Sequence, residues 1–202
     1  YNLSVVSEIY KKNGENSPTI DKLLEYAKVY KKKAETVDVG IENLVCYLKA
    51  KKCYESFGIT DGVTDISPLY EDILKNTETF NIYVQTNGDD NGDGTEAKPF
   101  ATIKRAQKAI EEANLYGFDY VHFNVIIGEG TYFLNERLEV TGKNTVTYKA
   151  EEEGKVILTS SQKLNVNDFE VVSDGTMLKR LPDSSRYKVK QLNLTKAGVE
   201  KV

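Results

Sequence analysis

Three oxygen-bearing side chains alternate at the spacing of a calcium-binding loop. Asp89, Asn91 and Asp93, followed by Gly94, match the first half of such a loop, in which carboxylate and amide oxygens bind Ca²⁺. A complete loop has an acidic ligand at its twelfth position, which here is Phe100, so the sequence excludes an EF-hand. Two interpretations stay open: an isolated Ca²⁺ site, which is the only cofactor that the sequence suggests, or a turn in which these side chains bind backbone groups.

The other reactive side chains form no recognisable catalytic group, and the catalytic residues stay unknown. The single histidine, His122, lies in a predicted strand with no Ser or Cys nucleophile and no carboxylate pattern pointing to it. The acidic run at 151–153 precedes Gly154 and is typical of a solvated turn. The pair Gly128 and Gly130 is not followed by the helix that a phosphate-binding loop requires.

Composition and charge limit the class of protein and its partners. The chain has 202 residues, 40% of them hydrophobic, with a net charge of −4, which suits a soluble globular protein with a real core. We expect no nucleic-acid partner, because no basic stripe is present, and no membrane partner, because no apolar run reaches the ~18 residues of a span. Cys46 and Cys53 are two helical turns apart, about 10 Å, so we predict free, buried thiols and no disulfide.

The first 80 residues predict a helical module. Apolar residues recur at helical spacing in four segments, and the turn residues Asn13-Gly14, the pair Ser17-Pro18, Gly58 and the pair Ser67-Pro68 separate them. The four predicted helices cover residues 3–10, 17–33, 39–57 and 67–74. Three or four amphipathic helices joined by short turns are typical of a small helical bundle.

Residues 81–202 predict a different architecture. A strand over 81–85 and a turn-rich loop lead to a helix over 101–116, whose narrow apolar face contains Ile103, Ala106 and Ile110. Only short strands follow, separated by Gly, Asn and Asp turns, at 121–127, 137–140, 145–149, 155–158, 169–172 and 187–194. Short parallel strands joined by turns are typical of a β-solenoid. The alternative is a βαβ unit in an ordinary α/β sheet, which the absence of any later predicted helix disfavours.

The order of these segments resembles the start of right-handed parallel β-helix proteins of the pectate-lyase-like superfamily. The matching segments are Ile82-Tyr83-Val84, the loop 88–95, Lys98-Pro99-Phe100-Ala101-Thr102-Ile103 and Ile127-Gly128-Glu129-Gly130-Thr131-Tyr132. The likeness covers residues 81–161 well and extends more weakly to 202. It implies an α+β protein with a helical module at 1–80, followed at 81–202 by a cap helix and the first coils of a right-handed parallel β-helix.

The resemblance also implies a carbohydrate-related role outside the cell. We expect the N-terminal, non-catalytic part of a secreted bacterial lyase or glycoside hydrolase that acts on a polysaccharide. The alternatives are a carbohydrate-binding or cell-surface adhesion module, and a structural fragment whose helices bind a partner. Arg137 and Lys149 are of the type that serves as base in such lyases, but no acidic ligands recur beside them at coil spacing.

The number of predicted coils suggests one further partner. Solenoid coils bury their core by stacking, and roughly three or more are needed for stability. Residues 120–202 account for two to three coils, and no amphipathic cap follows the alternating segment 187–194. We therefore expect the native protein to continue past Val202 into a C-terminal β-helix, or the chain to self-associate.

Overall fold

The computed structural model describes residues 20–36, 38–134, 137–139, 142–161 and 164–197. The fold is mixed α+β, and the chain separates into two compact units, Tyr1–Thr159 and Ser160–Val202. The first unit contains, in chain order, α1 (Ile20–Ala34), α2 (Ile41–Ser56), α3 (Ser67–Asn76), β1 (Thr79–Val84), α4 (Ile103–Leu115), β2 (His122–Ile127), β3 (Gly130–Phe133), β4 (Thr145–Ala150) and β5 (Val156–Thr159). The predicted helix over 3–10 and the predicted helix start at Ser17 lie outside the described residues.

The three N-terminal helices pack on one another through small and aromatic side chains. Ala27 and Ala34 of α1 are buried in the core, and their small size allows α2 to pack closely against α1. α3 packs on α2 through Tyr47 and Tyr70, whose stacked rings have centroids 4.3 Å apart. The predicted helices over 39–57 and 67–74 are confirmed as α2 and α3, each with a shift of at most two residues at its ends.

The strands β1, β2 and β4 form one parallel sheet in the spatial order β1-β2-β4. The pairing is in register, so each inward side chain lies beside its equivalent in the next strand. The inner face therefore carries three columns of side chains: Phe80–Phe123–Val146, Ile82–Val125–Tyr148 and Val84–Ile127–Ala150. The alternating burial of β2 confirms the pattern predicted for 121–127 and follows from the two-residue period of a strand.

A second parallel sheet contains β3 and β5, each of which follows a strand of the first sheet after a turn. The chain thus passes twice through the same sequence of strand, turn and strand. One predicted strand, over 137–140, is wrong over the described residues 137–139, which are not in a strand. The physical reason is an alternative partner: the Glu139 carbonyl accepts a hydrogen bond from Gln107 Nε2 of α4 at 2.8 Å.

The helix α4 lies between the sheets and the N-terminal helices. It begins at Ile103, two residues after the predicted start at 101, because Thr102 caps it: Thr102 Oγ1 accepts from the Arg105 amide at 3.1 Å. Ile103, Ala106 and Ile110 are buried, and α4 contacts β1 and β2, so the predicted inner face is confirmed. The other side of α4 packs against α2. The helices before residue 80 and the strands after it therefore share one hydrophobic core.

The second unit contains a short 3₁₀ helix (Val166–Asp168), β6 (Glu170–Val171), α5 (Gly175–Leu178) and β7 (Lys190–Gln191). β6 and β7 pair antiparallel, so the parallel strand expected over 187–194 is wrong in both extent and direction. Backbone hydrogen bonds of a turn, such as Lys188 N to Ser185 O at 2.9 Å, take the place of the strand at 187 and 188. No helix among the described residues is long and apolar enough to cross a bilayer.

Candidate functional site

The outward side of the β1-β2-β4 sheet carries mostly uncharged polar side chains. We call this surface the outer sheet face. It is defined by the outward positions of the three strands: Thr79, Asn81, Tyr83, His122, Asn124, Ile126, Thr145, Thr147 and Lys149. Because alternate residues of β1 and β2 fill the core, these positions remain open to solvent, and parallel register places them in straight rows.

Side chains of the outer sheet face are bonded to one another across the strands. Asn124 Nδ2 donates to Asn81 Oδ1 at 3.1 Å. The His122 ring lies between two hydroxyls, with Nδ1 2.7 Å from Thr145 Oγ1 and Nε2 3.0 Å from Thr147 Oγ1. A threonine hydroxyl both donates and accepts, so either neutral tautomer of the ring satisfies both bonds. These bonds hold the polar groups in place before any ligand binds, which lowers the entropy cost of binding.

An exposed tyrosine stands at the end of the outer sheet face where β2 begins. Tyr120 is 77% exposed, and its backbone has φ +64°, a left-handed conformation that is uncommon for a bulky residue. Lys143 Nζ lies 5.2 Å from the centroid of its ring. Asn144 fixes the loop on both sides of Tyr120: its Nδ2 donates to Phe118 O at 2.7 Å, and its Oδ1 accepts from Val121 N at 2.8 Å. Backbone strain of this kind is concentrated at binding sites.

A groove of about 740 Å³ borders the outer sheet face on the side of β1. Its floor is formed by the outward residues of β1. Its walls come from the loop around Glu96, from Asp38 in the segment before α2, and from Thr77 just after α3. The volume falls in the range of small-ligand sites. The groove and the outer sheet face together form a continuous surface, because Thr79, Asn81 and Tyr83 belong to both.

The three predicted calcium ligands act as hydrogen-bonding groups inside their own loop. Asp89 Oδ1 accepts from the backbone amide and the side-chain amide of Asn91, at 2.8 and 3.0 Å. Asp93 Oδ1 accepts from the backbone amide and the hydroxyl of Thr95, at 3.2 and 2.7 Å. In the part of the chain that the structure describes, no three His, Cys, Asp or Glu side chains are placed to hold a metal ion. The contacts are those of the hydrogen-bonded turn, and the Ca²⁺ site stays a prediction.

The other residues singled out in the sequence do not converge on one point. Arg137 Nε donates to Glu139 Oε1 at 2.7 Å on the surface, whereas Lys149 belongs to the outer sheet face. Cys46 and Cys53 are free and buried, as predicted, and burial raises the pKa of each thiol to about 12. A thiol with so high a pKa is a poor nucleophile.

A second depression, of about 850 Å³, lies between α4 and β3. Several of its polar side chains are already paired. Asp90 accepts from the Ala101 amide at 2.9 Å and from the Thr102 hydroxyl at 2.9 Å. Glu111 accepts from Gln107 Nε2 at 2.8 Å. The outer sheet face is the better candidate, because it combines an exposed tyrosine ring with uncharged amide, hydroxyl and imidazole groups that lie in rows across three strands.

Sequence reasoning missed Tyr120 and Asn144. The alternating pattern predicted a strand from 121 and gave no reason to single out the residue before it. The available signal was the segment Gly117-Phe118-Asp119-Tyr120, a turn-like sequence between the helix and the strand. Nothing local to Asn144 indicates that its amide would bridge a loop more than twenty residues earlier in the chain.

Comparisons with known proteins assign no family. No protein family matches the sequence, and no curated protein matches it. One solved structure, named "Glycoside hydrolase", is similar over 47% of this chain and 16% of its own, with 20% sequence identity and a TM-score of 0.36. The chain thus spans about a sixth of that protein's length. A likeness at this level carries no argument about fold or activity.

Proposed function

We propose that this chain is the N-terminal, non-catalytic part of a secreted bacterial β-helix protein that acts on a polysaccharide, as a lyase or a glycoside hydrolase. The observation that carries the proposal is that the chain passes through the same two parallel sheets twice, first as β2 and β3 and then as β4 and β5. In each sheet the two strands pair: β2 with β4, and β3 with β5. Coils of a parallel solenoid repeat in this way. The resemblance of residues 81–161 to pectate-lyase-like proteins supports the same conclusion.

The outer sheet face is the proposed polysaccharide-binding surface. Its amide, hydroxyl and imidazole groups can donate to and accept from sugar hydroxyls. Tyr120 and Tyr83 add aromatic area, which suits the apolar face of a pyranose ring. A long, shallow surface of fixed polar groups fits a polymer better than a small metabolite, which binds in an enclosed pocket.

A binding assay tests the proposal directly. The purified chain is titrated with pectate, xylan and arabinan, and the same titrations are made with Tyr120→Ala and with Tyr187→Ala. Tyr187 is the matched control, because it is a similarly exposed tyrosine (74%) in the second unit. We expect the parent and Tyr187→Ala to bind at least one polymer, and Tyr120→Ala to bind it roughly tenfold more weakly. Absence of binding to any polymer would contradict the proposal.

A cleavage assay tests the non-catalytic part. The chain is incubated with the same polymers, with and without Ca²⁺. We expect no unsaturated products and no new reducing ends above those of a heat-denatured control, because no acid–base pair is assembled on the outer sheet face. Product formation would assign catalysis to this chain itself.

A further inference from the structure

We infer that the polymer bound on the outer sheet face is an uncharged polysaccharide and not a polyuronate. The inference rests on the proposed function and narrows it to the glycoside hydrolase, because a lyase requires a uronate. It follows from the charges on and around the face. A polyuronate carries a carboxylate on each sugar, so a surface that binds it must offer unpaired cations at repeated positions.

Neutral groups dominate the centre of the outer sheet face. Asn81, Asn124 and the threonines of β4 lie in register beside one another, and they offer amide and hydroxyl groups without charge. Sugar hydroxyls are neutral donors and acceptors and are matched by groups of this kind. No cation occupies the central rows, which contain Thr79, His122 and Thr145 in one row and Asn81, Asn124 and Thr147 in the next.

The cations at the edges are few. Lys143 Nζ is 2.9 Å from Asp119 Oδ2, and this ion pair neutralises it beside the Tyr120 ring. Lys149 is the one lysine of the outer sheet face, and no ion pair to it is present among the described residues. A single cation cannot offset the regular charges of a polyuronate.

Acidic groups border the same surface. Asp38 and Glu96 line the groove beside β1. At the end of β2, the Glu151 carboxylate lies beside Gly128, where a Cβ would be 3.4 Å from its Oε2. These carboxylates repel the carboxylates of a polyuronate. The net charge of −4 adds a weaker repulsion at low salt. A neutral polymer escapes this penalty.

The deciding experiment compares arabinan and xylan with polygalacturonate, at low and at high salt. We expect a neutral polymer to bind with an affinity that does not change with salt, and polygalacturonate to bind at least about tenfold more weakly. Tighter binding of polygalacturonate, weakened by salt, would overturn the inference and leave the proposed function standing. Absence of binding to every polymer would overturn both.

Charge variants provide an internal check. Glu96→Gln removes one repelling carboxylate, so we expect it to strengthen polygalacturonate binding about two- to threefold relative to neutral polymers. Glu25→Gln is the matched control, since Glu25 is an exposed acid on α1 that does not line the groove. Lys149→Gln removes the one cation of the outer sheet face, so it should weaken polygalacturonate binding by a larger factor than neutral binding. Equal losses for the neutral polymer and for polygalacturonate would contradict the charge argument, because Lys149 would then act as a hydrogen-bond donor and not through its charge.

Discussion

At the scale of single residues, Tyr120 is the one residue other than glycine with a left-handed backbone in the part of the chain that the structure describes. Its φ of +64° brings Cβ close to the following carbonyl, which costs about 1–2 kcal/mol for a residue other than glycine. The two hydrogen bonds of Asn144 hold this conformation, and the result is a ring that is exposed instead of buried. Selection for stability alone would favour glycine or asparagine here.

We predict that Tyr120→Gly leaves the protein at least as stable as the parent. Glycine removes the left-handed strain, and this gain offsets the lost cation–π contact with Lys143 and the greater freedom of the unfolded chain. Urea titration measures the free energy of unfolding. Tyr187→Gly is the control: Tyr187 has no left-handed φ, so we expect a loss of about 0.5–1 kcal/mol. Equal losses in both variants would contradict the role of strain.

At the scale of elements, the helix α4 is held on two sides by different forces. Toward the sheet it buries alanine and isoleucine, whereas toward α2 it presents Glu112, whose Oε2 accepts from Lys49 Nζ at 2.6 Å. Both side chains are almost fully buried, and the lysine also lies 5.4 Å from the centroid of the Tyr30 ring. A buried pair of this kind is costly to break, because either partner alone leaves an uncompensated charge.

We predict that Lys49→Met lowers the free energy of unfolding by about 3 kcal/mol. The double variant Lys49→Met/Glu112→Leu should lose clearly less than the sum of the single changes, because no charge is left buried. The matched control is the more exposed pair Lys52 and Glu55 on the same helix, where Lys52→Met should cost under about 1 kcal/mol. Equal costs at the two pairs would show that burial does not strengthen the Lys49 interaction.

The same pair gives a pH dependence. Burial lowers the pKa of Lys49, but the attraction and hydrogen bond of Glu112 outweigh it, so the pKa is raised above the usual range of lysine. A raised lysine pKa means that its stabilising contribution is complete below the pKa in the unfolded chain and is lost as pH rises through the folded value. We therefore expect alkaline pH to reduce the stability of the parent more than that of the double variant in pH-dependent thermal melts.

The contact between α2 and the loop after β1 depends on one glycine. Gly40, just before α2, lies so close to the loop that a Cβ would be 2.1 Å from the Asp93 carbonyl oxygen. That carbonyl also accepts from the Glu42 amide at 3.2 Å. Gly40→Ala should therefore lower the free energy of unfolding by about 2–3 kcal/mol, although φ at this position is ordinary. Gly175→Ala, with no atom within 4 Å of its Cβ, should change stability little; a similar loss there would refute the steric explanation.

At the scale of the whole molecule, the inward side chains of β4 and β5 are more exposed to solvent than those of β2 and β3. The inward residue Tyr132 of β3 is 6% exposed, whereas its partner Leu158 in β5 is 46% exposed. The same gradient occurs from β2 to β4, where buried Val125 is followed by half-buried Tyr148. We propose that a further coil, or a second copy of the chain, covers these inner positions.

We predict that the isolated chain self-associates through these positions, and that Leu158→Lys shifts it toward monomer in sedimentation velocity. A lysine at an inner position would bury an unpaired charge in the associated form. Ile157→Lys is the control, because Ile157 is 58% exposed in the same strand but points outward. A parent chain that is monomeric at all concentrations would exclude self-association and leave a further coil as the partner to test.

The sequence by itself determined α2, α3, α4 and β2, and the inner faces of α4 and β2. The helical period between Ile103 and Ile110 and the strict alternation of β2 report how each segment buries its own side chains, and a segment carries that information within a few residues. The same holds for Cys46 and Cys53, because helix geometry alone fixes their separation. The uncharged outward residues of β2 could also be read from the alternation.

Only the tertiary structure decided which segments meet. A loop and a helix separate β1 from β2 in the chain, but the two strands lie side by side in the sheet. This pairing places Asn81 next to Asn124. Because α2 packs on the other side of α4, Lys49 lies beside Glu112 and pairs with it. The antiparallel pairing of β6 and β7 and the left-handed backbone of Tyr120 were likewise absent from the pattern. Such contacts depend on the path of the connecting loops and on close packing between distant side chains, and neither leaves a periodic signal in the sequence.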